Sequence, residues 1–322
     1  MKTARPTGAG FAAAFGITIA VILALMSGLT LWRDPLWVFR EAPPWTRDGM
    51  GASRLLDVEM RLVKPLQLAR IRPGTVLIGS SVVYRGLDPH DLSRQAPQPA
   101  YNAGISSLMA AELPTMAALI VDVGSVRRVV LGLDYFMFTR MPPPPPLRPA
   151  LATRSGRLEA FAGAVLNPDA IERLARRGQA RTEPGEWRGD GFKITPDFDA
   201  ALTQRVATAQ DIAAMAYRPE RLRDLDTALT QLSGLELSLY LSPMCAAQRH
   251  LIAQGGRAEE LARWRAEVAA LAAAKGLTLH DLVDAHPFED FDPAHGSSRF
   301  WIDNLHFKPE LGRWILARLG LA

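Results

Sequence analysis

The sequence predicts an α/β fold built on one five-stranded parallel sheet. Three observations predict it. Short stretches of strand character recur at residues 75–78, 100–104, 127–132, 236–241 and 277–282. Stretches with helical spacing separate them, and no internal repeat is present. Such alternation gives a parallel sheet covered on both faces by helices.

The chain has 322 residues, 48% of them hydrophobic and 22% charged, with a formal net charge of +4. That suffices for one large domain or one domain with an insertion. The positive excess is mild and forms no run, which argues against nucleic acid as a partner. Cys245 is the only cysteine. It excludes an intrachain disulfide and reads as small apolar packing.

Residues 1–10 form a short tail, and residues 11–32 an uncharged apolar span long enough to cross a bilayer as a helix. Lys2 and Arg5 precede the span and favour a cytoplasmic N-terminus. Trp32 and Trp37 suit the outer interface. A cleavable signal is the rival reading; the run is longer than a typical signal core and no clear Ala-x-Ala site follows. The expectation is a single-pass bacterial inner-membrane protein with its main domain in the periplasm.

Residues 33–73 are read as a stem and a first helix, with Leu55, Leu56, Val58, Leu62, Leu66 and Leu68 as its buried face. Residues 74–141 form the first half of the α/β core. Its first strand, Thr75 to Ile78, breaks at Gly79-Ser80-Ser81. A serine at the carboxyl end of a buried strand, where a helix starts, sits where open α/β sheets bind ligands. A helix-capping serine is the plain alternative. Gly104 follows the second strand and Asp134 the third, each also explicable as turn chemistry.

Residues 142–149 carry Pro142 to Pro146, a stiff polyproline spacer. Residues 150–234 change character and read as a mainly helical insertion: Arg157 to Arg177, Ala200 to Ala216 and Pro219 to Leu232, with Trp187 and Phe192 in a polar loop between. Residues 235–322 are the second half of the core, with a strong helix over Ala258 to Lys275 and a terminal one over Pro309 to Leu319. The loop from Asp284 to Arg299 mixes His286, Asp290, Asp292 and His295, but no metal-ligand spacing recurs, so it reads as a solvated loop. Asp303-Asn304-Leu305-His306 precedes the terminal helix. An Asp three residues before a His can fix the imidazole tautomer and leave Nε2 to take a proton from a serine.

The set Gly79-Ser80-Ser81, Gly104, Gly132-Leu133-Asp134 and Asp303-x-x-His306 resembles the SGNH/GDSL hydrolase superfamily. Within it the chain is similar to membrane-anchored bacterial O-acetyltransferases of envelope polysaccharides, such as the alginate enzymes, and to the protein that acts in D-alanylation of teichoic acids. The resemblance covers roughly residues 74–135 and 235–322. It implies a flavodoxin-like three-layer fold, with Ser81 as nucleophile, His306 as base and Asp303 as its orienting acid. It also implies an oxyanion hole from the backbone N–H groups of Ser81 and Gly104. The family's third donor is an Asn side chain; Asp134 stands there, and an ionised Asp cannot donate.

The implied reaction is acyl transfer through an acyl-enzyme, to water or to a sugar hydroxyl. Its implied partners are an acylated glycan and a membrane-bound acyl-donor protein. No cofactor motif is present, neither a phosphate loop nor a dinucleotide turn. Two other readings remain: a catalytically weak or inactive relative that binds polysaccharide or scaffolds a synthesis complex, and a lipase-like enzyme acting on membrane lipids.

Overall fold

The structure is a computed structural model and describes residues 8–52, 54–139, 145–166, 185–197 and 209–322. Lys2, Arg5, Pro142 to Pro144 and large parts of the helices expected over 157–177 and 200–216 lie outside the described residues.

Five parallel strands form the central sheet: β1 (Thr75–Ile78), β2 (Ala100–Asn102), β3 (Arg128–Leu133), β4 (Glu236–Leu241) and β5 (Leu279–Asp281). Their spatial order is β2-β1-β3-β4-β5. β1 is buried along its whole length and β3 along all but its first residue, which explains their continuous apolar runs. This order reverses direction between β1 and β3. Ligands in such sheets bind at that switch point, beyond the carboxyl ends of the strands. Ser80 and Ser81 follow β1 there, and Asp134 follows β3.

The helices Leu113–Val123 and Ala258–Ala274 bury their apolar stripes in the main core, with Trp264 fully buried. The terminal helix Pro309–Arg318 packs in a second apolar cluster on the other face, with Leu77, Val83, Val130 and Trp301. A helix at Ala246–Gln254, absent from the sequence expectations, follows β4.

The first helix runs Gly8–Arg33. Its 25-residue apolar stretch Ala9–Arg33 is long and apolar enough to cross a membrane, and none of it is buried against the domain within its most apolar window. The stem differs from expectation. Trp37 is 1% exposed and sits in the core, not at a membrane interface. Asp34 turns the chain inward by accepting the N–H groups of Val38, Phe39 and Arg40, each at 2.8 Å. The first helical stretch is broken into Arg54–Val58 and Met60–Ile71, and Val58 faces solvent.

The stretch between β3 and β4 is not wholly helical. Glu186–Arg188 and Lys193–Ile194 pair with Met50–Gly51 in a three-stranded antiparallel ribbon. Trp187 and Phe192 are buried in it, contrary to the polar loop expected. The ribbon covers the open edge of β2, since Asn102 N–H donates to Asp190 O at 2.7 Å. Lys64 Nζ fastens it from below, donating to Asn102 O at 2.8 Å and Gly191 O at 2.6 Å. Burial lowers the Lys64 pKa to about 7.

Candidate active site

Ser80 and Ser81 diverge at the start of the short helix Ser81–Gly86. Ser80 is the N-cap: its Oγ accepts Val82 N–H at 3.1 Å, and its carbonyl accepts Val83 and Tyr84 N–H. Of the four donors in that first turn, these bonds leave over the N–H of Ser81. Ser80 Oγ in turn donates to Asp134 Oδ2 at 2.5 Å and is fully buried. Ser81 is only half-buried and lines a cleft of about 300 Å³.

His306 lies 225 residues away in sequence, with Nε2 at 2.8 Å from Ser81 Oγ. Its Nδ1 is 2.8 Å from Asp303 Oδ2 and 2.9 Å from Oδ1. Asp303 Oδ1 also accepts the N–H groups of Leu305 and His306 at 2.8 Å. Burial alone raises the Asp303 pKa, but the His306 ring and these bonds outweigh it and hold the carboxyl below its ordinary value. Carboxylate, ring and hydroxyl are thus in line. With Nδ1 protonated toward Asp303, Nε2 is the acceptor for the Ser81 proton.

Two apolar anchors fix this loop. Trp301 and Phe307 are fully buried on either side of it and bridge each other, and Ile302 N–H donates to His306 O at 2.8 Å. The Phe307 ring lies so close to Gly86 that a Cβ there meets it at 2.1 Å. Only glycine permits that approach, which joins the serine's helix to the histidine's loop.

The other side of Ser81 departs from expectation. Gly104 N–H donates to Asn102 Oδ1 at 3.0 Å, so in this conformation it is engaged within its own turn. A Cβ at Gly104 meets Ser80 O and Tyr84 N at 3.0 Å. Gly104 therefore supports the serine turn from behind, and it does not line the cleft. Asn102 holds the same turn through Nδ2, donating to Val83 O at 3.0 Å and Leu87 O at 2.8 Å.

Asp134 does line the cleft, 4% exposed. Burial raises its pKa against the lowering effects of Ser80, Ser242 and His306. Ser242 Oγ lies close enough to influence the carboxyl without making a hydrogen bond of standard geometry.

Ser106 and Ser107 were not singled out by the sequence, yet both line the cleft. Ser107 has φ 50°, unusual for a non-glycine residue. Arg61 clamps the turn: Nη1 and Nη2 donate to the carbonyls of Ser106 and Ser107 at 3.0 Å, and Nε to Glu112 Oε1 at 2.7 Å. No local pattern marks Arg61, because its partners stand 45 or more residues away.

Among the described residues, Asp88, His90 and Asp190 bring possible metal ligands together. The Arg188 guanidinium already bridges both carboxylates, 2.6 Å from Asp190. In the loop from Asp284 to Arg299, His286 Nε2 is 3.0 Å from Met244 O and Asp290 accepts from Ser298 Oγ and Arg299 N–H. His295 pairs with Asp292 at 2.7 Å in the open. These groups are used to shape their own loop. Cys245 is fully buried, its Sγ 3.4 Å from Asn304 O, and burial pushes its thiol up to about 12.

No protein-family model matches the chain, and no curated protein does. Among solved structures the chain is similar to a protein of Streptococcus pneumonia provisionally described as a platelet activating factor, at 13% identity and a TM-score of 0.41, covering 83% of this chain and 92% of that one.

Proposed function

We propose that the chain is a membrane-anchored serine esterase or acyltransferase of the SGNH/GDSL type, acting on O-acyl groups of an extracytoplasmic polysaccharide. One observation carries the enzyme reading: Ser81 Oγ, His306 Nε2, His306 Nδ1 and Asp303 form an unbroken chain of contacts at 2.8 Å. In the reaction, Ser81 Oγ bonds to the ester carbonyl carbon as its proton passes to His306 Nε2. The ester C–O bond breaks and His306 returns the proton to the leaving alcohol. Water or a sugar hydroxyl then reverses these steps on the acyl-enzyme. The Ser81 N–H is the backbone donor for the oxyanion.

The apolar stretch Ala9–Arg33 and the charges of Lys2 and Arg5 support an anchor with a cytoplasmic N-terminus. That location favours an envelope glycan as the acceptor and a membrane-bound protein as the acyl donor. A reporter fused after Ala322 should be active only when exported.

A serine-directed fluorophosphonate tests the chemistry. It should label Ser81, as read by peptide mass spectrometry, and His306→Ala should greatly slow the labelling. Labelling that ignores both Ser81→Ala and His306→Ala removes the enzyme reading. The rival, a weak or inactive scaffold of the same fold, is favoured by the engaged Gly104 N–H and by Asp134 where an amide donor is expected.

A further inference from the structure

The cleft beside Ser81 has a mixed lining, polar and apolar. Its polar groups are not confined to Ser81, His306 and Asp134, since Arg85, Ser107 and Gln248 also line it. The rest of the wall includes Phe136, Ile212, Met215, Pro243, Met244 and Ile252. These six side chains offer rings, branched aliphatics and thioethers, with no hydrogen-bonding atom stronger than a thioether sulfur. These six give a sugar's hydroxyls no strong partner and suit an aliphatic group better.

The apolar wall is a built feature. Ile212 and Ile252 are 4% and 2% exposed. Ile212 lies on the helix Ala209–Ala214, and Met215 follows it. Three bonds fasten this segment to the long helix Ala258–Ala274 and its start. Arg257 Nη2 donates to Ala213 O at 2.5 Å, Tyr217 N–H to Glu260 Oε2 at 2.6 Å, and Tyr217 Oη to Glu267 Oε2 at 2.7 Å. These bonds hold the wall in position.

The reacting groups decide which part of an ester it accommodates. His306 must return its proton to the leaving oxygen, so the alcohol lies on the imidazole side. The substituent on the carbonyl carbon is then left for the apolar part of the cleft. We infer that this cleft is an acyl pocket, and that the transferred group is an aliphatic acyl chain of roughly four to eight carbons, longer than acetyl, since about 300 Å³ is at the small end of ligand pockets.

This inference rests on the serine-enzyme reading and adds the acyl class to it. Each methylene laid on the wall should raise kcat/KM about fourfold until the cleft is full, the factor that ~0.8 kcal/mol per buried CH₂ converts to. The test uses the full-length chain in lipid nanodiscs and p-nitrophenyl esters from acetate to decanoate. The expected profile climbs to an optimum between butanoate and octanoate and then falls. Met215→Trp, which fills the wall, should lower the hexanoate-to-acetate ratio of kcat/KM by about tenfold or more. Met215→Ala should move the optimum to a longer chain, and it keeps the test open if the tryptophan variant folds poorly.

Ser81-dependent hydrolysis that is fastest for acetate and declines with every added carbon overturns the acyl pocket and leaves the enzyme reading intact. A rate that climbs with the alkyl length of the alcohol in acetate esters, and not with the acyl chain, assigns the cleft to the alcohol and also overturns it. Failure of all esters, with Ser81→Ala equal to wild type, removes the enzyme reading and the pocket with it.

Discussion

The two flanks of Ser81 are built differently. On one flank, Asp303 and His306 come from a single tight loop, and their side chains link in line to the Ser81 hydroxyl. On the other, Asn102, Gly104, Ser80 and Asp134 bond to one another, and their contacts hold the serine turn in shape. The first flank has the form of a proton relay. The second is a brace, in which a buried carboxyl replaces the amide donor that the family resemblance implies. Strength on the first flank and reserve on the second predict an enzyme limited by oxyanion stabilisation and not by proton transfer.

The largest expected effect breaks the relay. Ser81→Ala should reduce kcat by about 10⁴- to 10⁶-fold, measured with the best ester substrate. Asp303→Asn should cost about 10⁴-fold, because it stabilises the wrong imidazole tautomer. Losses below tenfold in both variants are incompatible with a relay. Asp303→Asn also has a stability signature. The folded pKa of Asp303 lies below the unfolded value of about 3.9. Its contribution is therefore present above that value and lost as pH falls through the folded pKa. Acid titration of wild type against Asp303→Asn should show the gap in stability closing below about pH 4.

The second effect acts on the brace and has the opposite sign. Asp134→Asn supplies an N–H and removes a carboxylate that, when ionised, repels a developing oxyanion. Acyl-enzyme formation in a burst experiment should rise by about tenfold, below the 10² to 10³ that a well-placed donor supplies. A fall in rate assigns Asp134 another task, such as steadying protonated His306. Because burial raises the Asp134 pKa, its favourable contribution belongs to the protonated form, is present below about pH 3.9 and is lost as pH rises through the folded pKa. Asp134→Asn should therefore raise Tm at neutral pH, by roughly 1–2 °C for each kcal/mol gained in a chain of 322 residues.

This contrast also explains what the sequence made legible. Asp303 and His306 are three residues apart, so their contact is a local property that spacing reveals. Ser81 was marked by a strand that is buried throughout and then breaks at a glycine. β1 and β3 were legible because burial on both faces writes them as nearly unbroken apolar runs, whereas β4 is buried only over its second half and the edge strand β5 is half-buried throughout. The brace was not. Whether Gly104 N–H faces a ligand or Asn102 depends on a side-chain bond two residues away, which has no pattern. The ribbon strands are only two or three residues long, too short for a period, and Trp187 reads as polar-loop aromatic until Met50–Gly51 pairs with it. Trp37 misled for a related reason. A tryptophan after an apolar span suits an interface, but the Asp34 turn carries it back into the core.

The smallest effect sharpens the comparison most, because Ser80 belongs to both the turn and the brace. Its Oγ caps Val82 N–H at 3.1 Å and donates to Asp134 at 2.5 Å. Ser80→Ala should lower stability by about 1 kcal/mol for the lost cap. It should slow turnover by less than tenfold, since Ser81 and His306 keep their contact. If the slowing reflects an Asp134 carboxylate that has lost a donor, the Asp134→Asn background should abolish it. The double variant would then match Asp134→Asn in rate while still paying the cap in stability. A double-mutant cycle on kcat/KM measures this directly. Additive rate effects would mean that Ser80 shapes the serine turn by itself, and that Asp134 is a passive neighbour of its hydroxyl.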